Sequence, residues 1–494
     1  YESIAFPETH PKHLAALGHL LGLPTPPPGT ARVLEIGCAS AGNLIPMAWH
    51  MPRAHFVGID LSARQIEAAS AQARRLGLPN LELHQADILD LGDNIGPFDY
   101  IIAHGVYSWV PPEVREHLLG LAARLLSPSG IYYVSYNTLP GWRMRGMLRD
   151  VLGYAARGAQ ETDQRVAAGR AALERLTDAT KGLESLSARY LREETGRLEQ
   201  VHPSYLLSEY MAEHNEAFLF SDFAAAADAA GLRYLCDTDL RTLFPSTYGE
   251  GVEHALAPIE DGIELEQWLD FVTNRNFRQS VLCRADADLS EDIAIELDRF
   301  ASLAFQADLQ PLPKPDLRRP RATMFQSPSG TQVRISEPMT KALVMELSAR
   351  YPASLPLSEV IAPAAQRVSQ AGGKPPADLG SCLEELFSLF AHGALGAGPE
   401  PRHPQAADLD APRASALAFA ELSLGPRVTT IHHTNMDLDS FSEHLLASLD
   451  GTRNSLEIAE TMARQLSSGE LKPPAGLNTR RRGKEQAIGR VSAA

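Results

Sequence analysis

Short apolar runs that alternate with helical patterns between residues 33 and 137 constrain the fold more than any other feature of the sequence. Each run is rich in Val, Ile, Leu or Tyr and is followed by a turn or a helical pattern; the runs are ARVLEIG, HFVGID, LELHQAD, FDYIIAHG and IYYVSYN. Such runs are typical of parallel strands that are buried on both faces, with crossover helices between them. The sequence therefore predicts an α/β fold with a doubly wound, Rossmann-like sheet that binds ligands at the C-terminal ends of its strands.

The same sheet is expected to continue beyond residue 215. FSDFAAAADAAGLRYLCDTDL predicts a helix that is closed by Gly231 and followed by a strand, and NFRQSVLCRA predicts one more strand. The polar, proline-free segment 143–200 has heptad-like apolar spacing, which predicts two or three exposed helices. We therefore expect a first domain over residues 1–300, in which a helical insertion at about 158–215 covers the sheet as a lid.

Two proline-rich breaks divide the rest of the chain. QADLQPLPKPDLRRPRA, at 306–320, is interpreted as a linker, and RATMFQSPSGTQVRIS after it predicts a hairpin around Gly330. These features indicate a small α+β, winged-helix-like middle domain at 320–398 and a C-terminal domain at 412–470. Residues 471–494 contain few apolar side chains and are expected to be disordered.

Composition limits the classes of function. The 494 residues carry a formal net charge of -16, which would repel a phosphate backbone, so nucleic acid is not an expected partner. No run approaches the roughly 18 apolar residues of a membrane span, and the first residues lack the pattern of a secretion signal. The four cysteines (Cys38, Cys236, Cys283 and Cys382) are widely spaced, which argues against disulfides and zinc and favours a cytoplasmic setting.

The turn GCASAG at 37–42 follows the first predicted strand and indicates the ligand. A dinucleotide site would need a G-x-G-x-x-G phosphate cradle, but here Glu35 precedes the turn and would repel a diphosphate. A carboxylate at this position suits a ligand with a positive amino group, and Asp60 at the end of the second strand suits a ribose diol. The pattern therefore predicts S-adenosylmethionine, which has an ammonium, a sulfonium and a ribose but no phosphate.

Further residues complete the expected cofactor site. Asp87, at the end of the third strand, would accept from the adenine amino group, and Ile88 would supply a backbone N–H and an apolar face. His104 ends the fourth strand, where either the cofactor or the acceptor would lie. The remaining members of the predicted cofactor site are Gly37, Ala39, Asn43, Leu61 and Gln65.

The sequence resembles the class I S-adenosylmethionine-dependent methyltransferases. Over residues 1 to about 290 it is similar to the family that carries a methyltransferase regulatory domain, which includes bacterial protein-lysine methyltransferases acting on outer-membrane proteins. The resemblance rests on FPETHP, GNLIPMA, GIDLS, IIAHGVYSWVP, YVSYNTLPGW and NRNFRQSVLCR. It implies methyl transfer to lysines of a protein substrate, with an outer-membrane protein as one such substrate.

The chain departs from this family in the turn, where Ala39 and Ala41 stand at positions that usually carry glycine. An alanine is tolerated if its φ is negative and costs roughly 1 kcal/mol or more if the turn needs a left-handed residue. Gly37 and Gly42 remain for the other strained positions. We expect the cofactor to bind, with reduced affinity if both alanines are left-handed.

Aromatic and amide groups at the ends of the fourth and fifth strands are candidates for holding the acceptor amine. A lysine must lose its proton before it attacks the methyl group, and aromatic faces bind a cationic head well. The candidates are Tyr107, Trp109, Tyr136, Asn137 and Trp142; for Trp109 and Tyr136, packing in the core is the competing interpretation. Phe6 and His10, near the N-terminus, are candidate lid residues.

Three functions remain open from the sequence. They are a protein-lysine methyltransferase, a small-molecule O- or N-methyltransferase with the insertion as its lid, and a non-catalytic binding protein with a methyltransferase fold. The later domains would bind either the substrate or a second copy of the chain, so a homodimer is among the expected partners. No metal is expected, because the adjacent His432 and His433 would point to opposite faces of a strand.

Overall fold

The computed structural model describes residues 3–290, 295–404 and 408–474. A mixed sheet forms the centre of the N-terminal domain. Its strands are β1 (Arg32–Ile36), β2 (His55–Asp60), β3 (Leu81–Gln85), β4 (Phe98–Ala103), β5 (Leu126–Thr138), β6 (Ala217–Phe218), β7 (Leu232–Asp237) and β8 (Phe277–Arg284). Seven of them lie in the order β3-β2-β1-β4-β5-β8-β7, and β6 pairs with the end of β5. The five apolar runs form the five parallel strands β1 to β5, as predicted.

Burial follows the position of each strand in the sheet. Every residue of β1 except the first is buried, whereas β3, at the sheet edge, has no fully buried residue. β8 runs antiparallel to both of its neighbours, β5 and β7. The strand order reverses between β1 and β4, so the ligand crevice of this fold lies at the C-terminal ends of these strands.

Helices cover both faces of the sheet. They are α1 (Pro11–Leu20), α2 (Leu44–His50), α3 (Ala63–Leu76), α4 (Pro112–Leu125), α5 (Gly141–Ala156), α6 (Thr162–Thr180), α7 (Leu186–Glu199), α8 (Pro203–Tyr205), α9 (Phe220–Ala229), α10 (Glu250–Leu256) and α11 (Gly262–Thr273). The Ser62 side chain caps α3 by accepting from the Gln65 backbone N–H. Gly231, with φ of +85°, follows the end of α9 as predicted.

The insertion packs on α5 through its own apolar cluster, which includes Leu152, Leu173 and Tyr210. Two hydrogen bonds join it to the sheet. The Trp109 indole donates to the Ser208 carbonyl at 2.9 Å, and the Asn137 side chain donates to Asn215 at 2.8 Å. Because Trp109 and Asn137 follow or end β4 and β5, the insertion lies at the ligand end of the sheet.

The middle unit contains β9 (Ala304–Gln306), β10 (Gln310–Pro311), β11 (Thr323–Gln326), β12 (Gln332–Ile335), β13 (Leu355–Pro356) and β14 (Gly396–Gly398), with α12 (Leu297–Ala301), α13 (Pro338–Ala349), α14 (Leu357–Gln370) and α15 (Gly380–Ala391). The hairpin around Gly330 is confirmed as the β11–β12 pair. The linker prediction for 306–320 is wrong, because β9 pairs with β13 and β14 and Leu309 is buried. The middle unit therefore begins before residue 320.

The C-terminal unit contains α16 (Ala416–Leu422), β15 (Arg427–Thr429), β16 (Asn435–Asp437), α17 (Ser440–Ser448) and α18 (Ser455–Ser468). Leu471 is buried against Ile458 and Met462, so disorder does not begin at residue 471. The rest of that prediction, from residue 475 on, lies outside the described residues. Among the described residues, no helix is both long enough and apolar enough to cross a membrane.

Candidate cofactor and acceptor site

The turn after β1 is built from left-handed residues. Gly37 has φ of +74°, and Ala39 and Ala41 have φ of +49° and +57°. The Ala39 backbone N–H donates to Asp60 at 2.8 Å, which ties the turn to the end of β2. Both alanines thus adopt a left-handed conformation, which is costly for a residue with a Cβ atom. Such backbone strain is often found at functional sites.

Glu35 places a carboxyl group beneath this turn. Its side chain is buried, with a residue exposure of 4%. Oε1 accepts from the Asn43 side chain at 2.8 Å, whereas Oε2 is buried without a hydrogen-bond partner among the described residues. Burial raises the pKa of Glu35 to about 8, against the lowering effect of the Asn43 bond. Oε2 is therefore a buried acceptor that a cationic ligand group could satisfy.

Asp60 is fixed at the end of β2 by two backbone donors. Oδ1 accepts from the Ser62 N–H and Oδ2 from the Ala39 N–H, both at 2.8 Å. A carboxylate oxygen has two lone pairs, so each oxygen keeps one for a ligand hydroxyl. Leu61 beside it is 67% exposed, an apolar surface at the mouth of the crevice.

The end of β3 offers a second carboxylate. Asp87 Oδ1 accepts from the Leu89 N–H at 3.0 Å and so caps a short 3-10 turn, while Ile88 is half-buried against the core. Gln65 is half-buried at the start of α3. Its place just after β3 leaves Asp87 a candidate for a ligand contact.

His104, after β4, belongs to a stacked cluster. Its ring lies 3.9 Å from the ring of Phe6, and its Nδ1 is 2.9 Å from the Tyr133 hydroxyl. Burial lowers the pKa of His104 to about 4. The imidazole is therefore neutral at physiological pH.

Glu8 reaches the same region of the sheet from the N-terminal segment. The Gln279 side chain donates to Glu8 at 2.6 Å, and the charge of Glu8 acts on Tyr133. Burial is the largest cause of the raised pKa of Glu8. Sequence reasoning missed this carboxyl group, because nothing near residue 8 indicates contact with β8.

The five residues expected to hold the acceptor all have packing or hydrogen-bond partners within the protein. Tyr136 is fully buried, stacks on Phe223 at 4.0 Å and bonds to Ser280, and Tyr107 packs edge-on against the same aromatic cluster. Trp109 and Asn137 hold the insertion, as described above. Trp142 is buried beside Tyr210 of the insertion.

Asn43 joins the turn to distant parts of the chain. Its Oδ1 accepts from the Phe6 N–H at 2.9 Å and lies 2.8 Å from His433 Nε2, while its Nδ2 donates to Glu35 and to Thr9. His433 lies in the turn between β15 and β16, not in a strand, so the expectation of opposite strand faces was wrong. Among the described residues, no cluster of three or more His, Cys, Asp or Glu could hold a metal ion.

Sequence models of known families match three parts of the chain. They are a methyltransferase domain at residues 33–130, a predicted methyltransferase regulatory domain at 202–284 and a PKMT C-terminal winged helix domain at 410–491. The winged helix match thus falls on the C-terminal unit and not on the middle unit, where we expected this fold.

Relatives of known sequence and structure extend the match to the whole chain. Uncharacterized protein RP789 of Rickettsia prowazekii is 32% identical over 95% of this chain and 86% of its own length. Uncharacterized protein RP028 of the same organism is 35% identical over 48% of this chain and 94% of its own length. The structure of PKMT2 from Rickettsia typhi in complex with AdoHcy is 27% identical, with a TM-score of 0.85, over 100% of this chain and 96% of that one.

Proposed function

Because the chain belongs to the S-adenosylmethionine-dependent methyltransferases that combine a methyltransferase domain, a regulatory domain and a PKMT winged helix domain, we propose that it N-methylates lysine side chains of a protein substrate. The likeness to PKMT2 over the whole chain carries the proposal, since the abbreviation denotes a protein-lysine methyltransferase. The middle and C-terminal units take part in that likeness, and they offer surface for a macromolecular substrate.

The residues at the strand ends fit the cofactor. We assign Glu35 Oε2 to the ammonium, Asp60 to the ribose hydroxyls and Asp87 to the adenine amino group. Leu61 and Ile88 would flank the adenine with apolar surface. A Cβ atom at Gly37 would lie 2.7 Å from a Val106 methyl group, so only glycine leaves this part of the turn undistorted.

The acceptor amine is best placed beside His104 and Tyr133, at the end of β4. S-adenosylmethionine supplies an electrophilic methyl group there, and the protein has to orient the amine and remove its proton. The neutral imidazole of His104 and the Tyr133 hydroxyl can accept hydrogen bonds from the amine or donate to it. Glu8, whose pKa is raised by burial, is suited to take the proton because its pKa lies closer to neutrality than that of an exposed carboxylate.

Tyr107 and Tyr136 have no direct role in this proposal, because they pack with Phe223 in an aromatic cluster, whereas the hydroxyl of the equally buried Tyr133 lies against His104. Trp109, Asn137 and Trp142 act by holding the insertion against the sheet. We thus replace the sequence-based set of acceptor residues with the His104, Tyr133 and Glu8 cluster.

A methyl-transfer experiment tests the function. The full chain is incubated with tritiated S-adenosylmethionine in three separate reactions. They contain an outer-membrane protein fraction, a soluble protein extract and a metabolite extract. Label in protein that mass spectrometry assigns to lysine, absent with the Asp60→Ala variant, supports the proposal. Label confined to the metabolite extract would indicate a small-molecule enzyme, and no binding of the cofactor at millimolar concentration would contradict any methyltransferase activity.

A further inference from the structure

The geometry points to a part of the cofactor site that comes from the C-terminal unit. We propose that His433 is a positioning residue, which orients the Asn43 amide and through it holds Glu35 as an acceptor for the amino group of the cofactor. The proposal rests on the assignment of Glu35 to the ammonium. It gives the C-terminal unit a direct effect on cofactor affinity.

His433 is built into the turn from the far end of the chain. The residue is 2% exposed, has φ of +60° and lies at the tip of the β15–β16 hairpin. The same hairpin fastens the N-terminal segment, since the Asn435 side chain donates to the Ala5 carbonyl at 2.7 Å. The C-terminal unit thus contacts the turn directly through His433 and the segment next to it through Asn435.

The hydrogen bonds around Asn43 favour one orientation of its amide. The Phe6 backbone N–H can only donate, so the Asn43 atom that faces it must be the oxygen. His433 Nε2 faces the same oxygen and must carry a proton to bond with it. The amide nitrogen then points toward Glu35 Oε1 and Thr9 Oγ1, so both protons and both lone pairs of the amide are used.

This orientation determines what Glu35 can do. A carboxylate accepts from the amide nitrogen and keeps its other oxygen for an ammonium. If the amide turned over, its oxygen would face Glu35, and that arrangement is stable only when the carboxyl group is protonated. A protonated carboxyl does not attract a cation, so His433 favours the binding form of Glu35 by stabilising the amide orientation.

The charged and titratable neighbours of Glu35 and His433 do not alter the hydrogen bonds of the Asn43 amide between pH 6 and 9. Glu35 faces Asp60 and the Cys38 thiol, and the charge of Asp60 raises the pKa of Glu35. His433 faces His10, with 5.1 Å between the rings, and also His50. Burial lowers the pKa of His433 to about 3, so its ring stays neutral in this range.

Two variants of similar size separate donation from packing. His433→Gln keeps an N–H donor, His433→Met does not, and both carry the same backbone strain at φ of +60°. His432→Ala, in the same hairpin but with its ring tilted against that of Tyr351, is the matched control. Binding of S-adenosylhomocysteine by the full chain is measured by calorimetry from pH 6.5 to 9.

For His433→Met we expect about 3- to 10-fold weaker binding at pH 7.5, since one neutral hydrogen bond is lost. The affinity of this variant should still rise with pH, but the rise should occur at higher pH than in the wild type. His433→Gln and His432→Ala should bind within about twofold of the wild type. The inference is overturned if the Met variant binds like the wild type, or if the Gln and Met variants are equally weak with an unchanged pH profile.

A double-mutant cycle with Asn43→Ala gives a second test. In that background His433→Met should have no further effect on affinity, because the residue through which it acts is gone. Additive losses would contradict the inference. Failure of the wild type to bind S-adenosylhomocysteine would instead contradict the proposed function, so the two failures are distinguishable.

Discussion

The residues predicted to bind the cofactor and those predicted to bind the acceptor lie at the ends of neighbouring strands. The two sets nevertheless differ in the partners that surround them. Glu35 Oε2, at the end of β1, is buried without a hydrogen-bond partner among the described residues, and each Asp60 oxygen, at the end of β2, accepts one backbone N–H. Tyr107 and Tyr136, after β4 and in β5, lie in the core among other aromatic rings. The carboxylates at the strand ends therefore remain candidates for ligand contact, whereas the two tyrosines have their partners within the protein.

The physical reason is the difference in cost of burial. A buried carboxylate needs partners or a ligand, so it is retained where one is available. A tyrosine gains from burying its ring and needs only one partner for its hydroxyl, which Ser280 supplies for Tyr136. Substitutions at four residues can break or sharpen this comparison.

The largest expected effect is on the aromatic cluster. Tyr136→Ala should lower the free energy of unfolding by about 3–5 kcal/mol, because a fully buried ring is removed. Tyr136→Phe should cost only about 1 kcal/mol and leave methyl transfer within twofold of the wild type. Denaturant titrations measure the first effect. A folded Tyr136→Phe protein without methyl transfer would return this residue to the acceptor site.

Glu35→Gln should show the cost of the buried carboxyl group. The folded-state pKa of about 8 lies above the usual value of 4.5, so the folded protein holds this proton more tightly and loses stability as pH rises from about 4.5 to 8. The glutamine variant should lack this loss, which amounts to about 4 kcal/mol between pH 5 and pH 9 at about 1.4 kcal/mol per pH unit. Unfolding is measured at pH 5 and pH 9. If the free energy of unfolding of the two proteins changes equally between the two pH values, burial does not raise the pKa of Glu35.

Asp60→Asn tests the cofactor side directly. The substitution removes the charge that accepts two backbone N–H groups and the proposed ribose hydroxyls, and hydrogen bonds to charged groups contribute about 1.5–3 kcal/mol. We expect binding of S-adenosylhomocysteine to weaken about 10- to 100-fold. Asp90→Asn, at an exposed residue, is the control and should bind normally. Equal affinities would remove Asp60 from the site.

Local patterns predicted the sheet well because each strand and its following turn are encoded within a short stretch. The parallel strands, the end of the helix before Gly231 and the hairpin at Gly330 are all confirmed. The linker prediction failed at β10, where Pro311 occupies an edge strand, a position in a sheet that tolerates proline.

Long-range contacts could not be predicted from the sequence. His433 is 390 residues from Asn43, and the Gln279 partner of Glu8 is 271 residues away, so no periodicity or spacing could join them. The candidate cofactor residues could be named because parallel strands end at one edge. Their hydrogen-bond partners could not, since those depend on how the terminal segments fold back.

The smallest expected effect concerns the turn itself. Ala39→Gly removes the strain of a left-handed alanine, about 1–2 kcal/mol, but it also loses a buried methyl group and frees the unfolded chain, so the free energy of unfolding should change by between zero and about +1 kcal/mol. Ala69→Gly, at a buried position within α3, should instead lower it by about 1 kcal/mol or more. Denaturant titration of both variants gives the difference. If both destabilise equally, Ala39 is not strained, and the turn holds alanine without the cost that its backbone angle implies.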